Sequence, residues 1–262
     1  MLAKKSLGQH FLHEKRVIED IVRTSGVTKG DRVLEIGPGE GVLTLGLLKA
    51  GANVMVIEKD QRLVPILAEK FKKEIKNKQL KLVHKDILEW SVEKIKKPYK
   101  LVANIPYYIT GQILRLFLEN KNQPDSMTLL VQKEVAERIV ARDKKESLLS
   151  LSVKVFGTPK YIKTVGRGAF RPAPSVDSAI LNIENIEKNK LNNGLNEEFF
   201  FKIIHLGFAH KRKQLLSNLS SVYKKENLLE AFKTCGIDAK VRAEDVSLEK
   251  WLKLCEVLVG AV

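Results

Sequence analysis

The sequence predicts a doubly wound α/β domain followed by a small all-helical domain. In residues 1–183, short apolar runs alternate with stretches of helical spacing, which is the rhythm of a mostly parallel sheet covered by helices. After a polar stretch rich in Asn and Lys, apolar residues recur only at helical spacing. A length of 262 residues suits one large domain with a small companion. We therefore expect a Rossmann-like domain at 1–184, a linker at 185–196 and a helical domain at 197–262.

Seven strands are predicted, the last of them antiparallel because its apolar residues alternate. The predicted strands are 32–36, 53–58, 80–84, 100–103, 127–131, 161–165 and 178–183. Helical spacing predicts helices at 42–50, 63–73, 109–119, 199–208, 212–223, 228–234 and 248–259.

The charge, the apolar runs and the Cys and His residues limit the classes of protein to which this sequence can belong. A formal net charge of +15 favours a polyanionic partner, although a Lys- and Glu-rich surface also suits plain solubility or a hot habitat. No apolar run approaches the ~18–20 residues needed to span a bilayer. Cys235 and Cys255 have no partner pattern, and the histidines have no metal-ligand spacing. We expect a cytoplasmic monomer without a secretion signal, a membrane span or a metal.

A glycine-rich turn follows the first predicted strand, in the segment EIGPGEG at 35–41. Glycines between a strand and a helix let the backbone approach a ligand closely, although a lone motif of this kind is often only a turn. Glu58 ends the next strand, where an acid can accept both ribose hydroxyls of a nucleoside. Asp86 ends the third strand and could take the adenine amine of the same ligand, or simply cap a helix.

The segment NIPYY at 104–108 follows the fourth strand. An exocyclic adenine amine is a poor nucleophile, so it needs acceptors for its hydrogens; the Asn104 side-chain oxygen and the Ile105 carbonyl, held by Pro106, would provide two. Tyr107 could stack on an extruded base. The alternative is a turn whose tyrosines only pack, and taken alone this segment does not separate the two.

Together these segments resemble the ribosomal RNA adenine N6-dimethyltransferases, specifically the small-subunit methyltransferase A family. The matching segments follow the family's order: GQHFL at 8–12, EIGPGEGVLT at 35–44, VIEKD at 56–60, NIPYYIT at 104–110, LVQKEVAERI at 130–139, FRPAPSVDSAI at 170–180, GFAHKRKQLLSNL at 207–219 and RAEDVSLEKW at 242–251. His10 departs slightly, because many relatives have Asn there, and Ile105 replaces the usual Leu.

The resemblance implies direct methyl transfer from S-adenosylmethionine to two adjacent adenines near the 3′ end of 16S rRNA, in a partly assembled 30S subunit. The residues it places around the cofactor are Gln9, His10, Leu12, Gly37, Gly39, Glu58, Asp86 and Asn104. The residues it places at the target base are Asn104, Ile105, Pro106, Tyr107 and Phe170, with Tyr107 and Phe170 on its two faces. The proline-rich loop after Phe170 would hold its ring stiffly, and the alternative is that the ring only fills the core.

RNA contacts are expected from two basic sets, one of them on a predicted helix. The candidates are Lys133, Arg138, Arg142, Lys144 and Lys145 after the fifth strand, and Lys211, Arg212 and Lys213 in the helical domain. A solvated helix face is the alternative for the second set.

Three rival functions remain open at this point. They are a related methyltransferase of large-subunit RNA, a nicotinamide oxidoreductase and a noncatalytic ribosome-assembly factor. The G-x-G-x-G spacing disfavours the oxidoreductase, which needs G-x-G-x-x-G for its pyrophosphate.

Overall fold

A computed structural model describes residues 8–187, 191 and 195–259. These residues form two compact units. The first unit holds the described residues within 1–136 and 158–186, and the second holds those within 137–157 and 187–262. This division assigns 137–157 to the second unit, whereas the predicted boundaries place it before the linker. That residues 1–184 and 197–262 form two domains that fold separately stays a prediction.

Nine strands are found in the first unit. They are β1 (Phe11–Leu12), β2 (Arg32–Ile36), β3 (Asn53–Glu58), β4 (Leu80–His84), β5 (Lys100–Asn104), β6 (Ser126–Gln132), β7 (Thr158–Val165), β8 (Phe170–Arg171) and β9 (Ser178–Glu184). Seven form one sheet in the order β4-β3-β2-β5-β6-β9-β7. The first five of these are parallel, and β9 is antiparallel to both of its neighbours. The predicted seven-stranded sheet with an antiparallel last strand is confirmed.

The strand order places the ligand-binding edge. From β2 the chain proceeds outward through β3 to β4, and then returns to β5 on the other side of β2. Ligands of such sheets bind where the order reverses, at the carboxyl ends of the strands. Here that point lies between Ile36 at the end of β2 and Asn104 at the end of β5.

Eleven α-helices are found in the described residues. They are α1 (Lys15–Thr24), α2 (Val42–Lys49), α3 (Val64–Lys70), α4 (Lys72–Lys76), α5 (Thr110–Leu118), α6 (Lys133–Val140), α7 (Leu148–Lys154), α8 (Glu197–Gly207), α9 (Leu215–Leu219), α10 (Lys225–Cys235) and α11 (Leu248–Val259). None of them is long and apolar enough to cross a membrane.

The helix predicted over 63–73 is wrong in one respect, because it is interrupted. Phe71 leaves the helical conformation between α3 and α4, with φ −112° and ψ 26°. Its side chain is buried, at 2% exposure. It lies so close to Gly41 that a Cβ there would come within 2.5 Å of the ring. Burying this ring beneath the glycine-rich turn therefore takes precedence over a continuous helix.

The first unit also contains a two-stranded sheet that the sequence did not predict. Strand β1 pairs with β8 in antiparallel fashion, with Phe11 opposite Arg171 and Leu12 opposite Phe170. The His13 amide extends the pairing by donating to the Ala169 carbonyl at 3.0 Å. Residues 11–13 are thereby attached to a segment that lies far away in the sequence.

The second unit is a helical cluster built around Trp251 of α11, which is fully buried. Phe208 stacks on it, with ring centroids 5.9 Å apart. Gly207 ends α8 directly against the same indole, where an added Cβ would collide with the ring. Close packing at this point therefore requires a residue without a side chain.

The helix predicted over 212–223 is wrong in its extent, because α9 covers only Leu215–Leu219. Residues 211–213 form a turn in which the Lys213 amide donates to the His210 carbonyl at 3.0 Å. The buried Asn218 amide donates to the carbonyls of Gly207 and His210. This side chain satisfies the end of α8 and closes the turn, so the helical spacing does not become helix there.

Candidate active site

A cavity of about 440 Å³ opens in the first unit, at the carboxyl edge where the strand order reverses. Its size lies within the usual range of small-molecule sites. Its walls come from the segments 8–12, 35–40, 42–43, 57–59, 86–88 and 104–109, together with Gln112. Eleven predicted site residues line it: Gln9, His10, Leu12, Gly37, Gly39, Glu58, Asp86, Asn104, Ile105, Pro106 and Tyr107.

The glycine-rich turn forms the floor of the cavity. Gly39 has φ +59°, a conformation that L side chains rarely adopt. A Cβ on Gly39 would also lie 3.0 Å from the Phe11 ring, which crosses over the turn. The Gly39 amide points toward the Glu58 carboxylate, at 3.4 Å from Oε2. Glycine is therefore required here both by backbone conformation and by the close approach of the N-terminal segment.

Glu58 presents a carboxylate at the end of β3 and is 5% exposed. Its Oε1 accepts the Asp60 amide at 2.7 Å. Burial raises the pKa of Glu58, and backbone amides of Asp60 and Gly39 act in the opposite direction. The carboxylate is thus fixed by backbone donors and remains an acceptor on the cavity wall.

Asp60 connects this acid to the N-terminal segment. Its carboxylate accepts two hydrogen bonds from the Arg62 guanidinium, and the Gln9 amide donates to Oδ2 at 2.8 Å. The Arg62 hydrogen bond, followed by that of Gln9, lowers the pKa of Asp60 far below its ordinary range. Asp60 therefore stays charged and holds residue 9 at the cavity mouth.

Asp86 lies beyond the end of β4 with partners for both of its oxygens. Lys59 forms an ion pair with Oδ2 at 2.6 Å, and the Leu88 amide donates to Oδ1 at 3.0 Å. Burial opposes the charged form, but Lys59 and the Leu88 amide outweigh it, so the pKa of Asp86 is lowered. Asp86 thus caps a 3₁₀ turn, as the alternative interpretation predicted, and it also lines the cavity.

Glu35 is a buried acid at the cavity floor to which the sequence assigned no role. Its side chain is 1% exposed, and Oε2 has no hydrogen-bond partner among the described residues. Burial raises the pKa of Glu35 to about 8, with Thr44 opposing the shift and Glu58 adding to it. The carboxyl group is therefore mostly protonated at neutral pH.

Asn104 ends β5 with its side-chain amide in a defined orientation. Nδ2 donates to the His10 carbonyl at 3.2 Å. Because a carbonyl can only accept, this contact fixes which end of the amide faces the N-terminal segment. The Oδ1 atom is consequently turned the other way, as an acceptor.

Tyr107 follows in a 3₁₀ turn at Tyr107–Ile109, and its ring has neighbours at both ends. The His10 ring stacks on it with centroids 5.9 Å apart and planes inclined by 22°. The hydroxyl forms a 2.6 Å hydrogen bond with Ser178 Oγ. Burial raises the pKa of Tyr107, so its hydroxyl remains protonated at neutral pH.

Comparison with known proteins identifies the family. Residues 1–259 match the family described as "Ribosomal RNA adenine dimethylase". The chain belongs to this family.

Two relatives are similar to this chain along nearly their whole length. The Ribosomal RNA small subunit methyltransferase A of Dehalococcoides mccartyi (strain BAV1) is 45% identical over 98% of this chain and 89% of the relative. The protein of the same name from Fusobacterium nucleatum is 36% identical over 98% of each chain.

Two solved structures share the architecture. A dimethyladenosine transferase from Plasmodium falciparum has a TM-score of 0.81 at 25% identity, covering 94% of this chain and 96% of that one. The 23S rRNA methyltransferase ErmE has a TM-score of 0.77 at 27% identity, covering 95% and 99%.

Phe170 is the one predicted base-binding residue that does not line the cavity. Its side chain is 2% exposed and belongs to the apolar core of the first unit. A base could reach it only after this side chain or its neighbours move. Its predicted contact with the target base stays a prediction.

The basic candidates differ in how freely their charges are presented. Lys211, Arg212 and Lys213 are exposed, but the prediction that they lie on a helix is wrong, because they occupy the turn before α9. In the other set, Lys133 and Arg138 belong to α6, and Arg142 forms an ion pair with Glu137 at 2.9 Å. Lys145 pairs with Glu244 and Asp245, and the neighbouring Lys144 is exposed.

Sequence reasoning missed three residues that shape the site, namely Glu35, Asp60 and Ser178. All three lie inside segments that resemble the family, but motif spacing does not show which side chains are buried or which strands bring them together. Among the described residues, no group of His, Cys, Asp and Glu is arranged to hold a metal ion.

Proposed function

We propose that this protein transfers methyl groups from S-adenosylmethionine to N6 of two adjacent adenines near the 3′ end of 16S rRNA. The observation that carries this proposal is a single cavity that joins Glu58 and the glycine-rich turn to Asn104 and Tyr107. One ligand held by the first pair would thereby present its reactive group to a base held by the second pair.

The charges around the cavity suit this cofactor. The carboxyl groups of Glu40, Glu58 and Asp86 line it beside that of Glu35, which is mostly protonated at neutral pH, and the lysine on its wall, Lys59, is paired with Asp86. Acidic walls favour a ligand with sulfonium and ammonium charges and disfavour the pyrophosphate of a dinucleotide. This electrostatic argument, with the glycine spacing, speaks against the oxidoreductase alternative.

Within the cavity, we assign Glu58 to the ribose hydroxyls and Asp86 to the adenine ring of the cofactor. The glycine-rich turn would pass beneath the methionine part, and Gln9, His10 and Leu12 would close the mouth. The cofactor supplies a methyl group activated by its sulfonium sulfur.

The protein contributes position and hydrogen-bond acceptors at the target amine. Asn104 Oδ1, oriented by the contact of Nδ2 with His10, accepts one hydrogen of the amine, and the Ile105 carbonyl accepts the other. These contacts favour a more tetrahedral nitrogen, whose lone pair is available for attack. Tyr107 holds the base by stacking, so that the nitrogen meets the methyl group in line. The amine proton is lost once nitrogen carries the methyl group.

The RNA target is inferred from similarity and charge. The relatives named as small-subunit methyltransferases are 36–45% identical to this chain, whereas ErmE, described as a 23S rRNA methyltransferase, is 27% identical. We propose that a cytoplasmic monomer acts on a partly assembled 30S subunit. Exposed Lys211, Arg212 and Lys213 would contact phosphates, together with Lys133, Arg138 and Arg142.

The test combines methyl-labelled S-adenosylmethionine, the purified protein and small subunits that lack the modification, followed by nucleoside analysis. We expect label in N6,N6-dimethyladenosine at two neighbouring positions near the 3′ end. Transfer only to large-subunit RNA would contradict the proposed target. Binding to subunits without any transfer would leave the assembly-factor alternative.

A pair of Asn variants tests the assignment within the cavity. Asn104→Ala should abolish transfer while the protein still binds subunits. Asn53→Ala is the matched control, since Asn53 donates to the Gly30 carbonyl at the opposite, amino end of β3. Equal activity of the two variants would contradict the role given to Asn104.

A further inference from the structure

The hydroxyl of Tyr107 forms a hydrogen bond with a residue outside the cavity. Its partner, Ser178 Oγ, lies 2.6 Å away. Ser178 has no exposed surface and does not line the cavity. The far end of the Tyr107 ring is therefore held by a hydrogen bond to the fully buried hydroxyl of Ser178.

Ser178 is itself rigidly placed. It begins β9 and lies opposite Gln132 of β6 and Val165 of β7, so sheet neighbours hold it on both sides. The preceding residue is fixed as well, because the Asp177 carbonyl accepts the Lys133 amide at 3.0 Å and its carboxylate accepts the Arg167 amide at 3.1 Å. The sheet thus provides an immobile reference point for the Tyr107 ring.

The stacking contact between His10 and Tyr107 is less rigid than the hydrogen bond to Ser178. His10 stacks on Tyr107, and its Nδ1 donates to the Pro172 carbonyl at 2.8 Å, but these atoms are exposed. Rotation about the Cα–Cβ bond of Tyr107 would carry the whole ring, with its hydroxyl, away from the base. The hydroxyl contact opposes that rotation, whereas stacking alone permits the rings to slide.

We propose that Ser178 is a positioning residue for methyl transfer, which fixes the far end of the Tyr107 ring and hence the position of the target adenine. This inference rests on the function proposed above for Tyr107. It also gives a physical reason for two separate motifs, NIPYY and FRPAPSVDS, to occur in one chain: the second supplies the anchor for the aromatic residue of the first.

The test is a double-mutant cycle with Tyr107→Phe, Ser178→Ala and the double variant, assayed on unmodified small subunits. Tyr107→Phe keeps the stacking ring and removes only the hydroxyl. Each single variant should lower kcat by up to about tenfold, as expected for loss of one neutral hydrogen bond that orients a reacting group. The double variant should be no slower than the slower single variant, because both substitutions remove the same contact.

Two further measurements distinguish a loss of positioning of the Tyr107 ring from a general loss of folding stability. The Kd of S-adenosylmethionine should be unchanged in Ser178→Ala, since Ser178 does not line the cavity. Tyr99→Phe is the matched control, because Tyr99 is 1% exposed and donates a 2.7 Å hydrogen bond to the Asn122 carbonyl outside the cavity. It should lower thermal stability and leave kcat as in wild type.

The outcomes are distinct. An unchanged kcat in Ser178→Ala, or a double variant whose loss is the product of the single losses, would overturn the inference while leaving the proposed function intact. A wild-type protein that transfers no methyl group to either subunit would overturn the proposed function itself.

Discussion

Replacement of Glu35 by Gln should make the protein more stable, and increasingly so as the pH rises. The buried carboxyl group has its pKa raised from 4.5 to about 8, chiefly by desolvation. Between these two values the unfolded chain releases the Glu35 proton while the folded protein retains it. Stability linked to this group is therefore fully present at low pH and is lost as the pH rises through the window. Gln is neutral throughout and has no such loss.

The size of the effect follows from the same shift. One pKa unit corresponds to about 1.4 kcal/mol, so the stability difference between Glu35→Gln and wild type should grow by about 3 to 4 kcal/mol from about pH 5 to about pH 8. This is a large share of the ~5–15 kcal/mol that stabilises a typical domain. Urea unfolding measured at several pH values gives the difference directly, and tryptophan fluorescence includes a signal from Trp90 in the same unit.

Asp60→Asn is the control with the opposite shift. The pKa of Asp60 is lowered, so its stabilising contribution is complete above its ordinary pKa and is lost only at more acidic pH. Asp60→Asn should be less stable than wild type by an amount that does not change from about pH 5 to about pH 8. If the curves of Glu35→Gln and wild type run parallel from about pH 5 to about pH 8, the assignment of a protonated Glu35 is refuted.

Other substitutions test the remaining assignments. Asp86→Ala should weaken S-adenosylmethionine binding by about tenfold in calorimetry, because it removes both the cap on the Leu88 amide and the partner of Lys59; unchanged affinity would remove Asp86 from the cofactor site. Gly207→Ala should cost about 1–3 kcal/mol in thermal unfolding through its collision with Trp251, and a neutral result would contradict the close packing described there. Arg212→Ala should reduce RNA affinity and lower the salt dependence of binding by about one unit of slope, and an unchanged slope would mean that its charge meets no phosphate.

The large sheet was predictable because its strands carry strong local signals. The predicted strands 32–36, 53–58 and 80–84 coincide with β2, β3 and β4, because each is a short, largely apolar segment with turn or polar residues at its ends. Strands β2 and β3 are mostly buried, whereas β4, at the edge of the sheet, has one buried residue. Short elements carry no such signal. Strands β1 and β8 have two residues each and pair with each other, although they lie near opposite ends of the sequence of the first unit.

The candidate site was predictable wherever a residue follows a strand. Glu58 and Asn104 were found because the carboxyl ends of the parallel strands of one sheet meet at one edge, whatever the details of packing. Burial and long-range partners were not predictable in the same way. Phe170 was assigned to the base from the resemblance, and a proline-rich loop that holds an aromatic residue stiffly does not show whether the ring faces a ligand or the core; its side chain belongs to the apolar core. The roles given to the individual residues stay predictions until the variants above are measured.

The insertion of β9 between β6 and β7 has a consequence for how the protein is made. Within the described residues, β7 pairs in this sheet with β9 alone, and the edge of β6 that faces away from β5 is likewise paired with β9 alone. During synthesis these two edges stay open until residue 184 has left the ribosome, although every residue of β6 from Met127 to Val131 is buried in the finished sheet. An unpaired edge of this kind is a site of misassociation. A pause in translation after β6 and before residue 184 has left the ribosome would therefore prolong the exposure of an apolar strand edge.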